Sequence, residues 1–445
     1  MDLDLLPDLY RDHVAELQRR YEPILAELGL DAVVLHSGSL KKRSEFDDQD
    51  WPLRPTPHFQ HWLPLKEADC ALVVAPGKKP KLLWRKTQSY WERPAEPEQR
   101  YFDACLDIEE LPQIDDLRPH VPPGRIGFVG DEPALGVRWG LGADRYNYAH
   151  LIGRLDRLRV HKTPYEVACL AEANRLAAAG HEALRAAFRT GDLPELTLHL
   201  RYLEATRQDD SETPYKNIVA LGHNAATLHH IHYGKRAAPK DVQSLLVDAG
   251  ATFQGYASDI TRTWLRGTGA TASAFGHLVA GVEAMQLRLC AAAKVDLPYE
   301  ELHEEAHRQV IDILRDVGIV RQPLEPDAAR VVSRAFFPHG LGHSLGLQCH
   351  DVGCALVKPR LDNPYLRNTS IIAPGQVFTI EPGIYFVDFL MDQLRQGPQR
   401  SSIDWSLVTA LAELGGVRIE DDLHITADAG PENLTRPWLP VGGGI

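Results

Sequence analysis

Apolar residues recur at helical spacing from Leu5 to Leu28 and the pattern stops at Gly29. This predicts an opening amphipathic helix ended by a glycine. Four short apolar runs follow, DAVVLHSG, ADCALVVAPG, KPKLLWRK and GRIGFVGD, bounded by Gly or Pro, and they read as strands. Helix and strands together predict a mixed α/β domain over residues 1–160.

A boundary is expected near His161. Thr163-Pro164-Tyr165-Glu166 supplies a capping threonine, a proline at the first helical position and a glutamate at the third. The helical pattern then runs to Gly191, and a second helix is expected from Pro194 to Arg207. QSLLVDAG and YASDITRTW read as strands. Helices over Ser273–Ala293 and Pro298–Val317 follow, then further strands. Successive helices before antiparallel-looking strands predict an α+β domain over 161–445.

The chain has 445 residues, 44% hydrophobic and 24% charged, as expected of a globular protein of two domains. Its 48 Lys and Arg against 61 Asp and Glu give a net charge of −13. An acidic chain without a basic block argues against nucleic acid or an anionic membrane as partner. No apolar stretch approaches the roughly 18 residues of a membrane span. The acidic N-terminus is no signal peptide. The six cysteines form no C-x-x-C pair, which is consistent with reduced thiols and a cytoplasmic setting.

The candidate chemistry lies in four segments. VDAGATFQGYASDITRTW holds Asp248 and Asp259, HGLGHSLGLQCHD holds His343, FTIEPGIYF holds Glu381 and VRIED holds Glu420. Four carboxylates and one imidazole suit a pair of hard divalent cations, because carboxylates can bridge two ions. A turn centred on Phe253 and Gln254 would set Asp248 opposite Asp259, with Cβ atoms roughly 5 Å apart. Two carboxylates so placed repel unless protonated or joined by cations. Singly, either Asp could cap a turn, and Arg418 with Glu420 reads first as a surface salt bridge. Asp248 after Leu-Leu-Val and Glu381 at a strand end are harder to leave unpaired. Gly340, Gly342 and Gly346 permit close backbone approach around three histidines, 339, 343 and 350.

Taken together, these segments resemble the pita-bread (creatinase/aminopeptidase-like) metallopeptidases, above all the bacterial Xaa-Pro dipeptidases, or prolidases, which include organophosphorus acid anhydrolases. The resemblance extends to HSGSLKKRSEFDDQDWPLRPTPHFQHWLPL, KTPYEVACLAEANRLAAAGHEA and TPYKNIVALGHNAATLHH, and so covers nearly the whole chain. It implies that Asp259 and Glu420 bridge two metals, that Asp248 completes one, and that His343 and Glu381 complete the other. It implies Mn²⁺, with Co²⁺ or Zn²⁺ as alternatives that ligand type does not separate. The reaction implied is hydrolysis of Xaa-Pro dipeptides by a metal-activated water. Glu381 moves the proton to the leaving nitrogen and His350 stabilises the oxyanion. His229 and His339 hold substrate, while no role passes to His230, which would point to the other face of a strand. Arg418 offers a fork to the substrate carboxylate, and Tyr215 and Tyr299 line the small pocket. Asp48 reaches the partner's site in a homodimer. A side activity on organophosphates follows from the tetrahedral phosphorus.

Three departures from relatives stand out: Gly222-His223 replaces Asn-Glu, His232 with nearby His223 makes that rim rich in imidazole, and the stretch from Cys354 to Ile371 is shorter. The alternatives are aminopeptidase P-type cleavage of longer peptides and a non-catalytic binding protein. Retention of all five ligands disfavours the second.

Overall fold

The computed structural model describes residues 3–441, apart from 87–89, 92, 94–95, 98, 115–117, 142–144, 238, 354–356 and 429. The chain divides into two compact units, Met1–Ala168 and Cys169–Ile445.

In the first unit, α1 (Leu6–Glu27) buries Leu6, Tyr10, Val14, Leu17 and Tyr21 along one face. It ends before Gly29, whose φ of 61° is readily adopted only by glycine. The expected strands are β1 (Ala32–His36), β2 (Ala71–Val74), β3 (Lys81–Arg85) and β5 (Ile126–Val129). A further strand, β4 (Asp107–Leu111), is Asp-Ile-Glu-Glu-Leu, with no residue fully buried, and it lacks the apolar run that marks the others. The sheet order is β4-β3-β2-β1-β5. Because β1 pairs parallel with β5, β3 pairs parallel with β4, and β2 is antiparallel to both its neighbours, four strands run one way and β2 runs against them. Three helices accompany the sheet: α2 (Pro57–Gln60), α3 (Pro133–Arg138) and α4 (Ala149–Val160).

The capping box forms as expected. The Thr163 N–H donates to Glu166 Oε2 at 2.8 Å and the Glu166 N–H to Thr163 Oγ1 at 3.4 Å. They start α5 (Pro164–Thr190), which α6 (Glu195–Thr206) follows.

The second unit is built on antiparallel strands. β6 (Ile218–Leu221), β7 (Gln243–Asp248) and β10 (Thr261–Arg266) form one sheet in the order β10-β7-β6, with the hairpin β8 (Thr252–Phe253) and β9 (Tyr256–Ala257) between β7 and β10. Then come α7 (Ala270–Ala292), α8 (Tyr299–Asp316) and α9 (Pro326–Phe336). The chain closes with β11 (Val377–Ile380), β12 (Gly383–Tyr385), α10 (Asp388–Gln396), α11 (Trp405–Ala412), β13 (Gly416–Arg418), β14 (Asp421–Ile425) and β15 (Pro431–Asn433). This is the expected α+β arrangement. Leu278, Met285, Val310 and Phe336 of the helices share one core with Phe378, Ile384 and Val417 of the strands.

The hairpin register differs from expectation. Phe253 pairs with Tyr256, so the turn centres on Gln254 (φ 50°) and Gly255 (φ 90°), and Asp248 faces Thr261 rather than Asp259. Two consecutive left-handed residues make the tight turn that suits a twisted hairpin. The displacement is two residues, so by strand alternation Asp259 keeps the face of Thr261 and therefore of Asp248. Gly250 lies across from Asp259, and a Cβ there would fall 1.9 Å from the Ser258 carbonyl oxygen.

Candidate metal centre

Each proposed ligand sits where a strand ends or breaks. Asp248 is the last residue of β7, and Asp259 lies just before β10. Glu381 follows β11, and Glu420 bridges to Thr261 between β13 and β14. His343 is held by backbone: its N–H donates to Thr379 Oγ1 at 3.1 Å, and the Thr379 N–H donates to its carbonyl at 2.9 Å. That approach needs Gly342, where a Cβ would lie 2.3 Å from the Thr379 carbonyl oxygen.

These side chains converge. His343 Nε2 lies 3.3 Å from Asp259 Oδ2 and 3.7 Å from Glu381 Oε1. Ligand atoms of Asp259, His343 and Glu420 lie within 4.8 Å of one another, all three residues being buried. The Tyr215 hydroxyl joins the two aspartates, 2.8 Å from Asp248 Oδ1 and in contact with Asp259 Oδ1. Thr261 Oγ1 donates to Glu420 Oε2 at 2.5 Å.

The electrostatics are those of a site that lacks positive charge. Burial pushes Glu420 far above the carboxylate range, and Asp259, Glu381 and Asp248 add to that. Burial also raises Asp248, against the pull of Arg418. Burial, reinforced by Asp259 and Asp248 and opposed by His343 and Arg418, pushes Glu381 up to about 7. Desolvation works against the charged forms of Asp259 and His343 as well. Their mutual contact prevails, lowering the carboxyl and raising the imidazole to about 9. Four carboxylates, two buried and two half-buried, beside one guanidinium and one imidazole form a donor set that divalent cations fit, in charge and in chemistry.

The accessory groups are placed in several ways. His339 Nε2 lies 2.9 Å from the Tyr385 hydroxyl, and Arg418 Nη1 donates to that hydroxyl at 2.8 Å. Arg418 also donates from Nη2 to Asp248 Oδ2 at 2.6 Å and from Nε to Thr261 Oγ1 at 3.2 Å. It is therefore neither part of a surface bridge to Glu420 nor an open fork. It is buried, and all three of its nitrogens are engaged. The His350 ring lies 4.4 Å, centroid to centroid, from that of His343. Burial lowers His339 to about 3, and partial desolvation, with the charge of nearby His343, lowers His350 to about 4 although that residue is exposed.

His229 is exposed in a turn, not on a strand. Its charge would disfavour protonation of both His339 and His350. His230 faces away, with Nε2 2.9 Å from Glu195. Tyr299 departs from its expected role: it is fully buried, donates to the Thr379 carbonyl at 2.8 Å and presents nothing to a ligand. His223 is exposed and pairs with Asp388 at 3.4 Å. Asp48 lies exposed in the first unit, where Gln49 Nε2 donates to it at 3.3 Å.

Tyr385, Thr261 and Glu195 carry no mark in the sequence that separates them from ordinary strand or helix residues. Only strand alternation hints at Thr261, two residues beyond Asp259. Cys349, one of the six cysteines, is half-buried with Sγ 3.0 Å from Asp259 Oδ2, a contact no sequence pattern marks.

The chain belongs to metallopeptidase family M24, whose sequence profile matches residues 168–427. Residues 8–156 match the profile of the Xaa-Pro dipeptidase N-terminal domain. The Xaa-Pro dipeptidase of Pseudoalteromonas atlantica is 39% identical over 443 residues, covering 97% of this chain and 98% of its own length. That of Xanthomonas campestris pv. campestris is 40% identical over 442 residues, covering 96% and 97%. The fold is that of aminopeptidase PepP from Pseudomonas aeruginosa, with a TM-score of 0.69 at 24% identity over 96% of this chain and 95% of that one. Proline aminopeptidase P II from Yersinia pestis gives 0.67 at 24%, with 96% of each chain covered.

Proposed function

We propose that this chain hydrolyses Xaa-Pro dipeptides at a centre of two divalent cations held by Asp248, Asp259, His343, Glu381 and Glu420. The supporting observation is the convergence of Asp259, His343 and Glu420 in one buried cluster, with Asp248 joined to it through the Tyr215 hydroxyl, Glu381 3.7 Å from His343, and the carboxylates short of positive charge. Cations held by these residues would supply an acidified water as nucleophile near neutral pH. Glu381 would take the proton and pass it to the leaving imino nitrogen. His350 would offer a ring N–H to substrate oxygen, whereas His339, whose Nδ1–H donates to the Gly340 carbonyl at 2.8 Å, would hold substrate by ring contact. Exposed His229 closes the same side. Tyr215 and Arg418 hold Asp248 in place from opposite oxygens. Mn²⁺ is the proposed metal, with Co²⁺ and Zn²⁺ next. A cytoplasmic homodimer, with Asp48 serving the partner's site, completes the reading. Among the described residues no helix is long and apolar enough to cross a membrane.

A second reading, cleavage of longer Xaa-Pro peptides, gains from the commitment of Arg418 to Asp248. That contact leaves less of the guanidinium for the carboxylate that would mark a dipeptide. The test is hydrolysis of Gly-Pro, Leu-Pro and Gly-Pro-Ala after chelation and Mn²⁺ readdition. Dipeptide cleavage should vanish and return. Tripeptide cleavage at an equal rate would favour the second reading, and activity indifferent to chelation and dialysis would refute the metal centre.

A further inference from the structure

The first unit carries a cavity of about 640 Å³, lined among others by His36, Asp69, Arg85, Glu132, Arg138 and Trp139. Its position follows from the sheet. His36 ends β1 and Arg85 ends β3. Gln113 follows β4, Glu132 and Arg138 follow β5, and Asp69 precedes the reversed strand β2. All of them therefore lie beyond the carboxyl ends of the parallel strands. The chain builds outward from β1 through β2, β3 and β4, then returns to place β5 on the other flank of β1. The point where an open sheet switches direction leaves a crevice at those carboxyl ends, the usual seat of a ligand in such sheets.

The lining has unmet bonding capacity. His36 has no solvent exposure, and its Nδ1 accepts the Gly38 N–H at 3.1 Å. The ring proton is thus on Nε2, which has no hydrogen-bond partner among the described residues and whose nearest acid, Asp69 Oδ1, is 4.0 Å away. Burial lowers His36 to about 4, so near pH 7 it is a neutral donor. The side chains of Gln113, Glu132 and Arg138 make no hydrogen bond or ion pair among the described residues. Arg85 Nε donates to the Ala68 carbonyl at 3.3 Å and lies 3.9 Å from Asp69 Oδ2, which leaves its terminal N–H groups, with Nη2 3.9 Å from Glu67, for a ligand; Asp69 accepts from Ser39 Oγ through Oδ1 and keeps Oδ2. Two carboxylates and two guanidiniums balance in charge, so neither a polyanion nor a polycation matches the lining. The size falls in the range of small-molecule pockets.

We propose that this cavity binds a small zwitterion, a free amino acid or dipeptide. Its carboxylate meets Arg138, Arg85 and the His36 Nε2–H, its ammonium meets Glu132 and Asp69, and its side chain lies against Trp139. The site belongs wholly to the first unit and is independent of the metal-centre reading. Binding there gives the chain a means of sensing molecules of the class its proposed reaction consumes and releases.

Calorimetric titration of the full-length, metal-loaded protein with L-leucine and L-proline tests this, alongside Glu132→Gln and Arg138→Gln. Neither replaced side chain has an intramolecular partner, so both variants are expected to fold and to retain dipeptide hydrolysis. Saturable binding weakened about tenfold or more in each variant is expected, since each loses a charged contact. Acetate and methylamine, each with one of the two charges, should bind far more weakly than either amino acid. Binding undiminished in both variants would place the amino acid elsewhere and overturn the proposal. Absence of binding, or stronger binding of inorganic phosphate or putrescine, would overturn it too.

Discussion

Arg418 Nη2 donates to Asp248 Oδ2 across 2.6 Å, inside the carboxylate cluster and with both side chains largely withdrawn from solvent. Through Tyr385 the same guanidinium reaches His339, so one residue ties a proposed ligand to a proposed substrate-binding histidine. Removing one member of a buried ion pair leaves the other charge uncompensated, at a cost of roughly 3–5 kcal/mol. Arg418→Met should therefore destabilise the metal-free protein by about that amount, and the metal-loaded protein by less, because cations take over the neutralisation of Asp248. Urea denaturation with and without Mn²⁺ measures both. Equal losses in the two states would contradict the coupling.

Gly342 allows the histidine loop to lie against β11. A methyl there meets the Thr379 carbonyl at 2.3 Å and the Tyr299 hydroxyl at 2.4 Å. Gly342→Ala is expected to cost roughly 1–3 kcal/mol by overpacking. It should also lower metal affinity, because His343 is the next residue. Thermal denaturation together with metal titration reads both effects, and an unchanged affinity would detach the loop's fit from the centre.

Glu195 holds the loop that carries His229. Its Oε1 accepts from the Leu221 N–H at 2.9 Å and Asn224 Nδ2 at 2.8 Å, and its Oε2 lies 2.9 Å from His230 Nε2 and accepts the Gly234 N–H at 2.7 Å. Glu195→Gln sets an amide N–H₂ against two of these donors. A loosened loop should raise KM for Leu-Pro about tenfold while metal content stays full. Steady-state kinetics with metal analysis separates this from general damage. A fall in kcat alone would argue against positioning.

Stability should fall on mild acidification. Burial lowers His303 to about 4 and His307 further. Glu300 and Glu304 on the same helix, Arg330 and Arg334 on α9, and His339 face the pair. Both folded values lie below the unfolded value near 6.5, so between pH 6.5 and 4 the unfolded chain binds more protons. The stability is complete above about pH 6.5 and is lost as pH falls through that window. Denaturant midpoints across it should decline, and replacing both histidines by Leu should flatten the slope. A slope unchanged by that double variant would assign the effect to other buried histidines.

Periodicity and turn chemistry foretold the opening helix, four of the five strands of the first sheet, the capping box and the helices α5 to α8, because burial of one face writes a period into the sequence. The strand Asp107–Leu111 escaped because three acidic residues break up its apolar pattern. The five carboxylate and imidazole positions were legible as well, since a buried strand end hosts an acid only where something compensates it. Tertiary structure decided what those groups touch. Whether Arg418 faces substrate or Asp248, whether Tyr299 lines a pocket or supports a loop, and which residue opposes Asp248 all depend on how separate segments meet. Those contacts span up to about 170 residues of sequence, as from Arg418 to Asp248, and no local pattern encodes them. The sequence by itself picked out the five proposed ligands and the two-part architecture. Only the fold decided the bonding around that set, because hydrogen bonds depend on angstrom-scale placement that side-chain periodicity does not carry.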